Sequence, residues 1–222
     1  MVGQGRIVGA LILAVSVASG AAAERTPLTN ADLRLEATAT PRVMVGEFVT
    51  VRTTLTARHR IPFMVGGESV EVDAGRGFEP RGEGGELGVQ CVFSAPESYA
   101  AGRSTVTEHL IGLEERDAPA DLSGLDQLNA SVGFVFDHPG LYRIRVRYDD
   151  AVSNVVEVEA VAPAGRDAEL LDALRARPIV LTSMASVEPV IRDEGAALVR
   201  RYGPHRLLRP YLRATRDPRA DR

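Results

Sequence analysis

Residues Phe134–Pro163, FVFDHPGLYRIRVRYDDAVSNVVEVEAVAP, contain two runs of strict alternation separated by turn chemistry. In Leu141–Tyr148, Tyr142, Ile144, Val146 and Tyr148 fall on one side, and Arg143, Arg145 and Arg147 on the other. In Ser153–Val161, Val156, Val158 and Ala160 oppose Glu157 and Glu159. Asp137-His-Pro-Gly140 and Asp149–Val152 carry the residue types that turn a chain. A period of two on both sides of a short turn predicts antiparallel strands with one buried face.

Asp137, Gly140 and Tyr142 stand where an immunoglobulin-type sandwich turns its tyrosine corner. There the ring fills the corner and the hydroxyl bonds back to the backbone upstream. Ala130–Phe136, Leu141–Tyr148 and Ser153–Val161 are then strands E, F and G. A second cysteine normally follows the tyrosine by two residues, and here that position is Ile144. Aliphatic packing is expected in place of the inter-sheet disulfide, consistent with the single cysteine, Cys91. Asp137, Gly140, Tyr142 and Ile144 are accordingly read as structural residues. The arginine stripe is expected beside Glu157 and Glu159, in cross-strand ion pairs of about a few tenths of a kcal/mol each. Interleaved carboxylates cancel the field that phosphate binding needs, so no nucleic-acid partner is expected.

Upstream, Leu33, Leu35, Ala37 and Ala39 alternate with polar neighbours up to Pro41, and Phe48–Arg58 places Val49, Val51, Thr53, Leu55 and Ala57 on one face. Ser69–Ala74, Leu87–Phe93 and Ser104–Leu113 read as further strands. Gly75–Gly88 is punctuated too densely by Gly and Pro for regular structure. Ala118–Leu128 reads as a connection with one helical turn. Beyond Pro163 the period changes to helical spacing. Asp167–Ala176 carries Leu170, Leu171 and Leu174, and Ser186–Tyr202 carries Ile191, Ala197, Leu198 and Tyr202 behind a Ser186 N-cap.

Location is read from the N-terminus. A basic start, an apolar run Ile7–Ala18 and the small residues Ala21-x-Ala23 fit a secretory signal peptide cleaved before Glu24. The run falls short of the about 20 apolar residues of a spanning helix, and no stable membrane insertion is expected after cleavage. The expected division is therefore signal peptide 1–23, sandwich 24–162, helical segment 163–215 and a disordered tail 216–222. All 26 basic residues are Arg, which reads as the codon bias of a GC-rich bacterial genome. Charge is uneven: residues 24–162 hold 13 Arg against 22 acidic residues, and residues 163–222 hold 12 against 8.

Gly46-Glu-Phe-Val-Thr-Val, Phe136–Tyr148, and Ser153-Asn-Val-Val-Glu-Val with Pro163 beyond it resemble a family of uncharacterised exported bacterial proteins. In that family an immunoglobulin-like β-sandwich is followed by a small helical segment. The resemblance implies a mainly β fold of that kind and says little about activity.

Chemistry is sparse. His59, His109, His138 and His205 are not at metal-ligand spacing. No Gly-x-Ser-x-Gly elbow or phosphate-binding loop is present. Cys91 alternates with Val89 and Phe93, which makes it a small core residue rather than a partner for His109. Asn129-Ala-Ser131 matches a glycosylation acceptor, a coincidence in a bacterial chain. Asp149, Asp150 and Asn154 are the weak metal candidates, as oxygen ligands for calcium at a sandwich end, set against a solvated turn. No cofactor is expected. The role expected is non-enzymatic binding or structural support in the cell envelope, with Phe63, Phe78 and Tyr99 as candidate exposed aromatics. The alternative is an accessory or inhibitory module that engages another envelope protein through its C-terminal helices.

Overall fold

The computed structural model describes residues 26–62, 68–81 and 98–216. The proposed signal peptide, the strand expected at Leu87–Phe93 with Cys91, Phe63, and residues 217–222 lie outside the described residues. The fold is mainly β, with antiparallel sheets and helices. Its strands are β1 Leu33–Ala39, β2 Arg42–Met44, β3 Val49–Ala57, β4 Ile61–Pro62, β5 Glu68–Asp73, β6 Glu79–Arg81 and β7 Ser98–Tyr99. They continue with β8 Ser104–Ile111, β9 Leu113–Glu115, β10 Val132–Phe134, β11 Gly140–Tyr148, β12 Ala151–Val152 and β13 Val156–Val161. Helix α1 is Gly124–Ala130, α2 Arg166–Ala176, α3 Pro189–Tyr202 and α4 Arg209–Ala214.

One sheet has the order β1-β3-β8, and a larger one the order β2-β13-β11-β5-β6, with β12 folded back on β11. All pairings in them are antiparallel except β2 against β13. Alternation decides which side chains leave water. Tyr142, Ile144, Val146 and Tyr148 of β11 are buried, as are Val49, Val51, Thr53, Leu55 and Ala57 of β3. Each large apolar side chain so buried contributes about 1.5–3 kcal/mol.

Two expectations change. Residues 132–134 join neither large sheet, because β10 pairs with β9 (Phe134 against Leu113) and sits apart as a short ribbon. The Gly-rich stretch after β5 is also not wholly irregular, since Glu79–Arg81 returns antiparallel along Val70–Val72.

The interior is not uniformly apolar. Ala37, Val49, Val51, Val70, Val72, Ile144 and Val146 belong to one buried cluster, whereas Leu33, Leu35, Leu55, Ala57 and Tyr148 belong to a second. On β3, Thr53 falls between Val51 of the first and Leu55 of the second. Thr107 and His109, in register with Thr53 and Val51, are buried beside it on β8. The His109 ring meets the Glu68 carboxylate at 2.8 Å, with side-chain exposures of 0% and 5%. Thr53 Oγ1 is buried with no hydrogen-bond partner among the described residues.

The C-terminal segment belongs to the first cluster. Leu170, Leu171 and Leu174 of α2, Ile191 of α3, and Leu207, Leu208 and Tyr211 are buried with Val43, Met44 and Phe134. Helix α3 begins at Pro189 rather than Ser186. The preceding Ser183–Ser186 forms a 3-10 turn, and proline's fixed φ suits the first helical position. Gly46 lets α2 approach, because a Cβ there would lie 2.4 Å from a Leu171 methyl.

Candidate functional site

The cleft that best combines concavity with chemistry lies at the corner before β11. Its volume is about 640 Å3, and Arg76, Glu79, Glu114, Arg116, Asp137 and His138 supply its charges. Val72, Val135 and Tyr142 form apolar parts of the lining.

One wall is the turn from Asp137 to Gly140. Tyr142 Oη donates to the His138 carbonyl at 3.1 Å and accepts the His138 N–H at 3.2 Å, so one hydroxyl satisfies both backbone groups. The Tyr142 ring meets Phe136 edge-on, with centroids 5.0 Å apart. Burial pushes the phenol's pKa above its ordinary value. Ile144, two residues on, is fully buried among apolar side chains. Asp137 Oδ1 lies 2.7 Å from His138 Nδ1, and the Asp137 carbonyl accepts from Arg175 of α2 at 2.7 Å. His138 Nε2 has no partner among the described residues.

A second wall follows β9. Arg116 donates to Glu114 at 2.9 Å, to the Phe134 carbonyl at 3.3 Å and to Asp137 Oδ2 at 3.3 Å. It lies flat over β10 because residue 133 is glycine: a Cβ there would lie 1.9 Å from Arg116 Nε.

The third wall is the loop Ala74–Phe78. Asp73 Oδ1 accepts from the amides of Gly75 at 2.7 Å and Gly77 at 2.9 Å, and Oδ2 pairs with Arg143. Gly75 and Gly77 have φ of +95° and +106°, a region open to glycine and strained for other residues. The Gly77 amide, with Gly75 and Arg143, outweighs burial and holds the Asp73 carboxyl below its ordinary range. Arg76 is presented between the two glycines, exposed and with no partner among the described residues.

The arginine stripe is satisfied on the opposite side from the one expected. Arg143 pairs with Asp73, and Arg145 and Arg147 both pair with Glu71, the latter at 2.6 Å. β5 runs beside β11 with Arg143 opposite Asp73 and Arg145 opposite Glu71. Burial raises the cost of the Glu71 charge, but the bonds from Arg147 and Arg145 prevail and its pKa is lowered. Arg143 does stand opposite Glu157 in register, as expected, but its ion pair is with Asp73, and Glu159 faces Leu141 and pairs with Arg42.

Two of the three calcium candidates have side-chain partners of their own. Asp149 Oδ2 accepts from the Leu28 amide at 3.1 Å. Asn154 clasps Ala37 of β1, accepting its N–H at 2.8 Å and donating to its carbonyl at 3.0 Å. The Asp150 amide bonds the Leu28 carbonyl. Among the described residues no group of three or more His, Cys, Asp or Glu is placed to hold a metal ion.

The histidines are scattered: His59 pairs with Asp32, His109 with Glu68, His138 with Asp137 and His205 with Asp167. Asn129 bonds the Ala176 carbonyl and so ties α1 to the end of α2. Phe78 lies under the Arg145 guanidinium at 4.0 Å, which occupies that aromatic face. Tyr99 lies on β7, paired with Ile61.

Arg76, Glu114 and Arg116 escaped the sequence reading. The available signal was Gly75-Arg-Gly77, an arginine between two glycines in a loop.

No family model matches the chain, and no curated protein matches it. Among solved structures it is similar to a beta-glucosidase from Listeria innocua. With glucose bound, that enzyme is 16% identical over 58% of this chain and 16% of its own, with a TM-score of 0.31. In complex with isofagomine the values are 16% identity, 60% and 16% coverage, and a TM-score of 0.32. The chain spans about 16% of the glucosidase's length. At these TM-scores the likeness carries no argument.

Proposed function

We propose that the protein is an exported, non-enzymatic binding module of the bacterial cell envelope, built on an immunoglobulin-like sandwich. It engages its ligand through the cleft at the corner before β11. The signal-peptide pattern ending at Ala23 supports export. The strand order supports the sandwich reading, with β1, β3 and β8 taken as A, B and E, and β5, β11 and β13 as C, F and G. In this assignment β8 takes the E position, not residues 130–136.

The observation that carries the binding reading is the cleft itself. Its three walls are held in place by Tyr142, Arg116 and Asp73, yet Arg76 and His138 line it with the guanidinium and Nε2 unpaired among the described residues. Among the described residues, those lining the cleft include no serine, threonine or cysteine that would act as a nucleophile beside His138. The reading through the C-terminal helices loses part of its motive, because Leu170, Leu171, Leu174, Ile191, Leu207, Leu208 and Tyr211 are buried in this chain's own core, although Val187 and Val190 stay exposed.

The test is capture from a bacterial envelope extract by the mature protein, compared with Ala74→Trp. Ala74 is exposed and lines the cleft, so the indole obstructs the site and leaves the core intact. A species retained by the wild type and lost by Ala74→Trp supports the reading. Equal capture by both overturns the assignment to this cleft.

A further inference from the structure

Resting on that reading, we infer that the group recognised in the cleft is an oxyanion, a carboxylate or a phosphate, gripped between Arg76 and His138. Most charges of the lining are already engaged. Asp137 is bonded by His138 and Arg116, Glu114 is bonded by Arg116, and Glu79 is not free. The carboxylates of the lining are therefore answered by groups of the protein. On the cationic side, Arg116 is saturated by two carboxylates and a carbonyl. Among the described residues Arg76 and His138 Nε2 remain, and the two residues sit on different walls of one cleft.

Both are presented by braced turns. Arg76 stands between two glycines whose amides are fixed on one Asp73 oxygen, and Asp73 is itself held by Arg143. His138 stands on a turn whose amide and carbonyl are both bonded by Tyr142. Asp137 at Nδ1 orients the ring so that the opposite nitrogen points away from the protein's own carboxylate. A planar guanidinium suits the two oxygens of a carboxylate or phosphate. The imidazole adds a second donor where its Nε2 carries a hydrogen. Asp137, Glu114, Glu79, Arg116 and Arg76 are the charged groups that face it from the surrounding elements.

The test is a titration of the mature protein with inorganic phosphate and, separately, with acetate. Ionic strength is held constant with chloride, and binding is followed by the His138 ring resonances, assigned through His138→Gln. Saturable shifts that require Arg76, with affinity falling about tenfold in Arg76→Ala, are expected. Saturation by phosphate alone or acetate alone supports the inference and identifies the source of the oxyanion. Shifts that never saturate with either anion, or an unchanged affinity in Arg76→Ala, overturn it. The envelope capture separates the two levels of the reading. A ligand lost by Ala74→Trp but retained by Arg76→Ala leaves a binding cleft and removes the oxyanion.

Discussion

His109 on β8 and Glu68 on β5 meet at 2.8 Å across the interior, joining the two large sheets through a contact from which water is almost wholly excluded. The contact belongs to the polar layer that divides the apolar core at Thr53 and Thr107. Removing one member of a buried pair strands the other in a medium that solvates it poorly. Glu68→Leu is expected to cost about 3 kcal/mol, and Glu68→Leu with His109→Leu less than that. Urea melts of the two variants decide it. A double variant weaker than the single would show that the pair itself stabilises the fold.

Thr53 offers the opposite sign. Its hydroxyl is buried without a partner among the described residues, and valine has nearly the same shape and suits a strand at least as well. Thr53→Val should gain about 1 kcal/mol by removing an unsatisfied polar group. A loss in thermal or urea melts would reveal a hydrogen bond, through a buried water, that the hydroxyl makes in solution.

The corner and the arginine stripe should respond alike, although facing alone would separate them. Tyr142→Phe removes the hydroxyl that satisfies both backbone groups of His138 and is expected to cost about 1–2 kcal/mol. Arg145 faces outward, yet it bonds a nearly buried Glu71 and covers Phe78. Arg145→Ala is therefore expected to cost about 1–2 kcal/mol as well, not the small fraction of an exposed pair. Chemical denaturation of both variants checks this, and a negligible effect of Arg145→Ala would mean that Arg147 alone suffices for Glu71.

Glu71 also sets a pH dependence. Its folded pKa is lowered below the ordinary 4.5, so the folded state binds a proton there less readily than the unfolded chain does. The stability it contributes is fully present above about pH 4.5 and is lost as pH falls through the lowered folded value. Glu71→Gln should be less stable than the wild type at neutral pH, and the gap should narrow in acid. Denaturation curves at a series of pH values measure it; a constant gap would assign the wild type's acid sensitivity to other carboxylates.

Gly195 tests how α3 is seated. In an exposed helix interior, alanine in place of glycine gains about 1 kcal/mol. Here the added Cβ would lie 2.1 Å from the Tyr211 ring, whose hydroxyl is bonded to the Arg192 carbonyl. Gly195→Ala is therefore expected to lose about 2 kcal/mol through overpacking. In the wild type, amide exchange across Ile191–Tyr202 should be as slow as across β11. Exchange within seconds, or a stabilising Gly195→Ala, would show that the helix is loose in solution.

Some of this was legible in the chain. The facing of Tyr142, Ile144, Val146 and Tyr148, the strand Leu33–Ala39 and the apolar face of α2 are properties of a single segment, written in its own period. Period two or 3.6 states which side chains leave water without stating what they meet. The partners were decided only in three dimensions. Arg145 answers Glu71 from 74 positions away, and Asn154 clasps Ala37 from 117 away. Outward acids and turn carboxylates look solvent-facing along the chain, and only strand order shows that a neighbour claims them. The cleft is the extreme case, because Arg76, Arg116 and His138 come from three separate stretches. No local pattern joins them; the sheet pairings that bring their loops together do.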